Sequence, residues 1–273
     1  MPARLHRELI GTDPKRWLLL THGIYGSGAN WRGIARKLHQ QRPEWGIVLV
    51  DLRQHGRSEP GEPPHTLAAC AADLRALFDE LPGIEAIAGH SFGGKVVLQT
   101  RALAPATLRQ TWMFDASPSA RPGAETDPNN SVTRVLDLMQ RLPKTWAKRD
   151  DFIAAVTAEG EAPALAQWLA MNIVPDDAGQ HELRLDLDAL RMMLHDYYQQ
   201  DLWSVAFDPG LPGDLYIVIA ERSPTLDDDD RARLATPPPH VHVHRVDAGH
   251  WLHIEAAANV VDLLTQGLPT PLS

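Results

Sequence analysis

The chain has 273 residues, 44% of them hydrophobic and 22% charged, with a formal net charge of −9. That size and composition suit a soluble globular protein built as one large α/β domain or two modest ones. The acidic balance, with basic residues scattered rather than clustered, argues against nucleic acid or an anionic membrane surface as the main partner.

The N-terminal stretch "MPARLHRELIGTDPKR" lacks the apolar segment of a signal peptide. No apolar run approaches the roughly 20 residues of a membrane span, so the expected compartment is the cytoplasm. Short apolar runs then alternate with helix-period segments, the pattern of a mostly parallel sheet flanked by helices. "WLLLTHG" (17–23) reads as the first strand, followed by the glycine-rich "THGIYGSGANW" and a helix over about 29–40. "GIVLVDL" (46–52) is the next strand, running into "DLRQHGRS". The segment at 67–81 reads as a helix that carries Cys70, the one cysteine, on its apolar side. A buried structural thiol is expected there; no intrachain disulfide is possible and a reducing compartment fits.

"IEAIAGH" (84–90) reads as a strand, a helix follows at about 92–104, and "LRQTWMFDAS" (108–117) is a further strand that ends in Asp115. Lys95, one helical turn past Ser91, is expected to meet a carboxylate on a helix face. From 118 to 210 the rhythm breaks: a loop-like "SPSARPGAETDPNNS" precedes several amphipathic helices with no convincing strand. This insertion divides the core, 1–117 and 211–273, and suggests a helical lid, with plain packing helices as the alternative. Trp146, Trp168, Met192, Tyr197 and Trp203 are its candidate pocket residues. "LYIVIAE" (215–221) and "VHVHRVDAG" (241–249) complete the strands, and a last helix spans about 254–266.

One motif stands out chemically. Gly89-His90-Ser91-Phe92-Gly93 is a G-x-S-x-G sequence between a strand and a helix, the context of a nucleophile elbow. Glycine on both sides of the serine implies a turn so tight that neighbouring Cβ atoms would collide. The turn would lift the Ser91 hydroxyl to a helix N-terminus, where developing negative charge is favoured. The His-Gly pair at 22–23 lies directly after the first long strand. In this architecture the N–H groups of Ile24 and Phe92 would form an oxyanion hole. "DAGHWLHIE" (247–255) supplies a histidine after the last strand, where the order Ser…Asp…His needs its base. His250 is the candidate; His253 falls in or beside the final helix and reads as structural. Trp251 is expected to pack against the imidazole, with substrate contact secondary.

The quoted segments "HGIYGSGANWRGIARKL", "DLRQHGRS", "GHSFGGKV" and "GHWLHIE" together resemble the α/β-hydrolases. Within that superfamily they resemble the small bacterial esterases of the YbfF type and their abhydrolase-domain relatives. The resemblance covers about 15–117 and 213–266 and implies an α/β-hydrolase fold and a Ser-His-Asp triad. In such families "DLRQHGRS" is a structural signature, and it receives no chemistry.

Two carboxylates compete as the acid. The position after the penultimate strand reads "VIAERSPTLDDDD", where Pro224 stands in place of an aspartate and Asp227 opens a run that reads as the start of a solvated helix. Asp115 ends an apolar strand, where a lone buried carboxylate is costly without a partner; His250 would be that partner. The resemblance implies the same choice and adds Ser223, from the "RS" turn, as a supporting residue. "HVHVH" (240–244) puts imidazoles on one strand face; a metal site and a half-exposed strand both account for it, and no carboxylate or cysteine completes a ligand set.

The expectation is therefore a carboxylesterase of small to medium acyl esters or thioesters, with Ser91, His250 and Asp115 catalytic and no cofactor or metal. A cofactor-free haloperoxidase or carbon–carbon bond hydrolase could use the same triad, and a non-catalytic ligand-binding protein is a third class. Nothing in the sequence fixes the oligomeric state.

Overall fold

The computed structural model describes residues 1–176 and 178–270. In chain order the strands are β1 (Arg7–Ile10), β2 (Arg16–Thr21), β3 (Trp45–Val50), β4 (Ile84–His90) and β5 (Gln110–Phe114). Then come β6 (Thr145–Trp146), β7 (Ile173–Pro175), β8 (His181–Leu183), β9 (Asp214–Ala220) and β10 (Val241–Val246). The core helices are α1 (Arg32–Gln41), α2 (Leu67–Glu80) and α3 (Phe92–Arg101). Those between β5 and β9 are α4 (Ser131–Arg141), α5 (Arg149–Ala158), α6 (Pro163–Leu169), α7 (Leu187–Gln199) and α8 (Trp203–Ala206). The chain closes with α9 (Asp228–Arg233), α10 (Leu252–Glu255) and α11 (Ala257–Gly267).

Seven strands form one sheet in the order β1-β3-β2-β4-β5-β9-β10, parallel except for the antiparallel β1–β3 pair at one edge. Alternation along the strands splits the core in two, because successive side chains leave opposite faces. Leu19, Val48, Ile87, Met113 and Ile217 face the layer that contains α2, α3 and the segment between β5 and β9. Leu18, Leu20, Ile47, Ala88 and Val218 face the layer of α1, α10 and α11. Burial on both faces is why these strands read as unbroken apolar runs.

β1 escaped the sequence reading, since "RELI" is short and only half buried. The segment after β5 also differs from expectation: β6, β8 and β7 form a small antiparallel sheet among its helices. Strands of two and three residues are too short to display a period of two. This segment packs over the carboxyl ends of the large sheet. Tyr197 lies against Phe92 with ring centroids 5.6 Å apart, and Trp168 meets Trp251 edge-on at 4.7 Å. Among the described residues, no helix is long and apolar enough to cross a membrane.

Several imidazoles are part of the core. His253 packs between Trp31 and His90, at 5.4 and 4.5 Å, and burial pushes its pKa down to about 4. Burial likewise pushes His55 down to about 3, His90 well below the usual histidine range, and His22 in the same direction. These groups fold neutral, whereas in the unfolded chain they bind protons near pH 6.5. Between those values the unfolded state holds more protons, so stability is full above about pH 6.5 and falls as the pH drops. The denaturation midpoint should therefore decline from pH 6.5 towards pH 4. His253→Phe should flatten that decline by one proton's worth, up to about 3 kcal/mol at pH 4. Urea unfolding of both proteins between pH 4 and 8 checks this; an unchanged slope in the variant would contradict it.

Candidate active site

Five loops, at the carboxyl ends of β2, β4, β5, β9 and β10, meet above the sheet. β4 pairs with β2 on the side opposite β3, and the divergence of the two following loops opens a crevice of the kind α/β sheets use for ligands. The elements thus converge on Ser91.

Ser91 joins β4 to α3 with φ 54° and ψ −118°, a left-handed backbone rare for a residue with a side chain. The turn is possible because its neighbours are small. A Cβ on Gly93 would stand 2.7 Å from Thr21 Oγ1 and overlap the His22 carbonyl; one on Gly94 would stand 2.6 Å from Ala116 Cβ. The Ser91 N–H donates to Phe114 O at 3.0 Å, which ties the turn to β5.

The structure brings His250 and Asp115 to this serine. His250 Nε2 lies 3.0 Å from Ser91 Oγ, and His250 Nδ1 lies 2.7 Å from Asp115 Oδ2. With Nδ1–H donating to the carboxylate, the Nε2 lone pair faces the hydroxyl. Asp115 is fully buried and also has a left-handed backbone, φ 46°. Its Oδ1 accepts the Ala220 N–H at 3.2 Å, and its Oδ2 accepts the Ser223 hydroxyl at 2.5 Å. Thr225, which sequence reasoning missed, adds a hydroxyl 3.0 Å from His250 Nδ1 and 2.9 Å from Ser223 Oγ. A threonine one residue past a proline carries no signal of that placement. Behind the imidazole, buried His90 donates Nε2–H to the His250 carbonyl at 2.7 Å, so the elbow's own histidine holds the loop of the other.

Asp227 does not reach this group. It caps α9, accepting the Asp230 N–H at 2.9 Å, and pairs with Arg121 at 3.1 Å on the half-exposed surface. The aspartate run is not wholly solvated, however: Asp230 is buried and accepts from Arg121 at 2.6 Å and from Ser119.

The Ile24 and Phe92 N–H groups make no protein hydrogen bond among the described residues. Both residues are buried beside the elbow, and a Cβ on Gly23 would lie 3.4 Å from Ser91 Cβ. Two neutral imidazoles support this loop. His22 donates Nδ1–H to Gly23 O and accepts the Leu52 N–H at Nε2; His55 donates Nδ1–H to Arg53 O and accepts the Tyr25 N–H. "DLRQHGRS" thus works as a buttress, with Asp51 also accepting the Gly28 and Arg57 N–H groups.

The expected pocket residues fall into three groups. Trp168, Tyr197 and Trp251 lie beside the site, Trp251 with its ring edge-on to His250 at 5.7 Å. Trp146 and Trp203 take packing positions. Trp146 stands edge-on to Phe152, while Trp203 is buried, bonds Ser119 Oγ through Nε1 and lies under the Arg233 guanidinium. Met192 is a correction: it is 46% exposed and lines an outer groove with Pro64, His65, Thr66 and His195. Helical spacing explains it, because α7 turns Leu190 and Leu194 inward, and Met192, two residues from each, falls on the opposite side.

Lys95 is a second correction. Among the described residues it meets no carboxylate; its buried ammonium donates to Ser119 O and Tyr197 O at 2.9 Å and lies 4.7 Å from the Tyr197 ring centre. Burial pushes it down to about 8. Cys70 is buried, and burial raises its thiol pKa. His242 and His244 lie along the Tyr216 ring, and no metal-holding cluster of three side chains occurs among the described residues.

A serine hydroxyl, an imidazole aligned by a buried carboxylate and two free N–H groups form an arrangement able to attack a carbonyl and hold the resulting oxyanion. Comparison with known proteins agrees with the fold. An esterase from a marine microorganism superposes with a TM-score of 0.82 at 21% identity, over 97% of this chain and 100% of that one. The sn-1-specific diacylglycerol lipase ABHD11 of Danio rerio is 27% identical over 87% of this chain and 74% of its own length. The esterase YbfF of Escherichia coli is 25% identical over 87% of each. The pimeloyl-[acyl-carrier protein] methyl ester esterase of Pseudoalteromonas atlantica is 27% identical over 71% of this chain and 78% of its own. The sequence pattern of the alpha/beta hydrolase family matches residues 18–263, nearly the whole of the described core, and the chain belongs to that family.

Proposed function

We propose that this α/β hydrolase is a serine carboxylesterase that cleaves small to medium acyl esters through an acyl-enzyme on Ser91. The observation that carries this reading is the unbroken line from Ser91 Oγ through His250 to buried Asp115, at 3.0 and 2.7 Å. The names of the similar relatives, two esterases and a lipase, support the same bond type.

Ser91 Oγ bonds to the acyl carbon while its proton passes to His250 Nε2, and the carbonyl electron pair moves onto oxygen. The Ile24 and Phe92 N–H groups receive that oxyanion. The intermediate collapses by breaking the bond to the alkoxy oxygen, which takes the proton from Nε2 and leaves as the alcohol. Water then repeats the sequence on the acyl-enzyme, with His250 again as base, and releases the acid. Asp115 holds the Nδ1–H tautomer and offsets the imidazolium charge in both halves. The same steps apply to a thioester with a thiol as leaving group.

Ser91→Ala should abolish ester turnover. Asp115→Asn should lower kcat by about three to four powers of ten, since the shape stays and the charge goes. Ser223→Ala removes a neutral hydrogen bond and should cost about tenfold. Asp227→Asn should stay within about tenfold of the parent. All four are measured with one activated ester. A mild Asp115→Asn beside a crippling Asp227→Asn would overturn the assignment of the acid.

In this reading the segment 118–210 acts as a lid whose Trp168, set against Trp251, limits acyl length. Trp168→Ala should raise the octanoate-to-butyrate ratio of kcat/KM by about tenfold, the scale of a few methylenes in an apolar pocket. Met192→Ala, on the outer groove, should leave that ratio unchanged. Identical ratios in Trp168→Ala and the parent would remove Trp168 from the pocket.

A further inference from the structure

The loop that bears Ile24 is bonded to the inserted segment at one residue, Tyr25, among the described residues. Tyr25 is buried and has a left-handed backbone, φ 65°, a conformation a tyrosine keeps only where its surroundings over-determine it. Its N–H donates to His55 Nε2 at 3.3 Å, inside the core. Its other polar groups turn to the insertion: the carbonyl accepts Asn172 Nδ2 at 2.8 Å, and the hydroxyl donates to Val132 O at 2.9 Å. Asn172 is itself buried, just before β7, and its second amide bond goes to Leu169 O at 3.2 Å.

The planarity of the peptide bond turns these contacts into a relay. In a trans peptide the C=O of one residue and the N–H of the next are rigidly opposed. The plane that holds the Tyr25 carbonyl therefore also holds the Gly26 N–H, which donates to Gly23 O at 3.0 Å. The Gly23 carbonyl in turn shares its plane with the Ile24 N–H. So Asn172 grips one end of the first plane, the far end of that plane grips the second, and the far end of the second is the Ile24 N–H. His22 Nδ1–H, 2.8 Å from Gly23 O, is the other anchor of the second plane.

We propose that Asn172 is a positioning residue for the oxyanion hole, aiming the Ile24 N–H through two peptide planes joined by the Gly26–Gly23 hydrogen bond and so making the hole depend on the docked insertion. This rests on the reading of Ile24 as an oxyanion donor. The insertion then does more than cover the serine: the loop that stabilises the tetrahedral intermediate is held correctly only while residues near 172 sit where they do. A misaimed donor weakens transition-state stabilisation without touching ground-state binding.

The test uses Asn172→Leu, close in size and without the donor, with Asn172→Ala as the alternative if the leucine variant does not fold. Steady-state kinetics on a nitrophenyl ester are combined with the affinity of a trifluoromethyl ketone, which forms a tetrahedral adduct with an active serine. Outright removal of an oxyanion donor costs about 10²–10³ in rate, and a misaimed one should cost about ten- to a hundredfold. Asn172→Leu should therefore lower kcat by that factor with KM within about twofold, and ketone affinity should weaken in parallel. Tyr25→Phe, which removes the Val132 contact and leaves the relay, should retain kcat within about threefold. The proposal is overturned if a folded Asn172 variant keeps parental kcat and ketone affinity. It is equally overturned if thermal stability falls while both are retained, or if Tyr25→Phe alone reproduces the loss. A parent protein that neither turns over the ester nor binds the ketone would instead sink the esterase reading.

Discussion

A carboxylate buried without a cation beside it is tolerated only when its oxygens are saturated with donors, and Asp115 is such a group. Its partners come from three places: the Ala220 N–H at the end of β9, the Ser223 hydroxyl just beyond it, and His250 after β10. Those partners exist only because β9 lies beside β5 and β10 beside β9. The register of this half of the sheet and the geometry of the site are therefore one constraint. The Asp115 N–H bond to Val218 O at 2.8 Å carries the β5–β9 pairing one residue past the strand, to the carboxylate itself.

The other half of the sheet carries a complementary constraint, one of space. Ser91 keeps its left-handed conformation because Gly93 and Gly94 let β2 and the residues after β5 approach closely. Such a backbone costs on the order of 1–3 kcal/mol and persists where packing over-determines it. The neutral His22, His55 and His90 serve the same end. Each spends one ring nitrogen on a backbone carbonyl, so each fixes a loop and contributes no charge near Ser91. Their burial explains why they are neutral, and for His90 that neutrality explains why its ring can lie 4.7 Å from that of His250.

Much of this was legible in the sequence, for identifiable reasons. Five of the large-sheet strands, β2 to β5 and β9, announce themselves because burial on both faces demands near-continuous apolar runs; of the two edge strands, β10 shows a half-exposed Val/His alternation and β1 is too short to show either pattern. Gly89-His90-Ser91-Phe92-Gly93 is readable because the turn forbids side chains at its flanks. Pro224 and the apolar run ending at Asp115 pointed to the carboxylate that the structure brings to His250. What stayed hidden depends on contacts distant in sequence. Lys95 finds carbonyls at Ser119 and Tyr197, Thr225 reaches His250, and Asn172 reaches Tyr25 across 147 positions. Neither residue type nor spacing encodes such meetings. Met192 shows the opposite limit: composition marked it as large and apolar, but only the rotation of α7 decides which way it faces.

The proposed reaction stands or falls with Ser91 as its nucleophile. It is tested most directly by treating the protein with a fluorophosphonate and mapping the adduct by peptide mass spectrometry. One adduct per chain is expected, on the peptide that contains Ser91, formed in step with the loss of esterase activity. An adduct on a different residue accompanying that loss, or full inactivation with Ser91 unmodified, would contradict it.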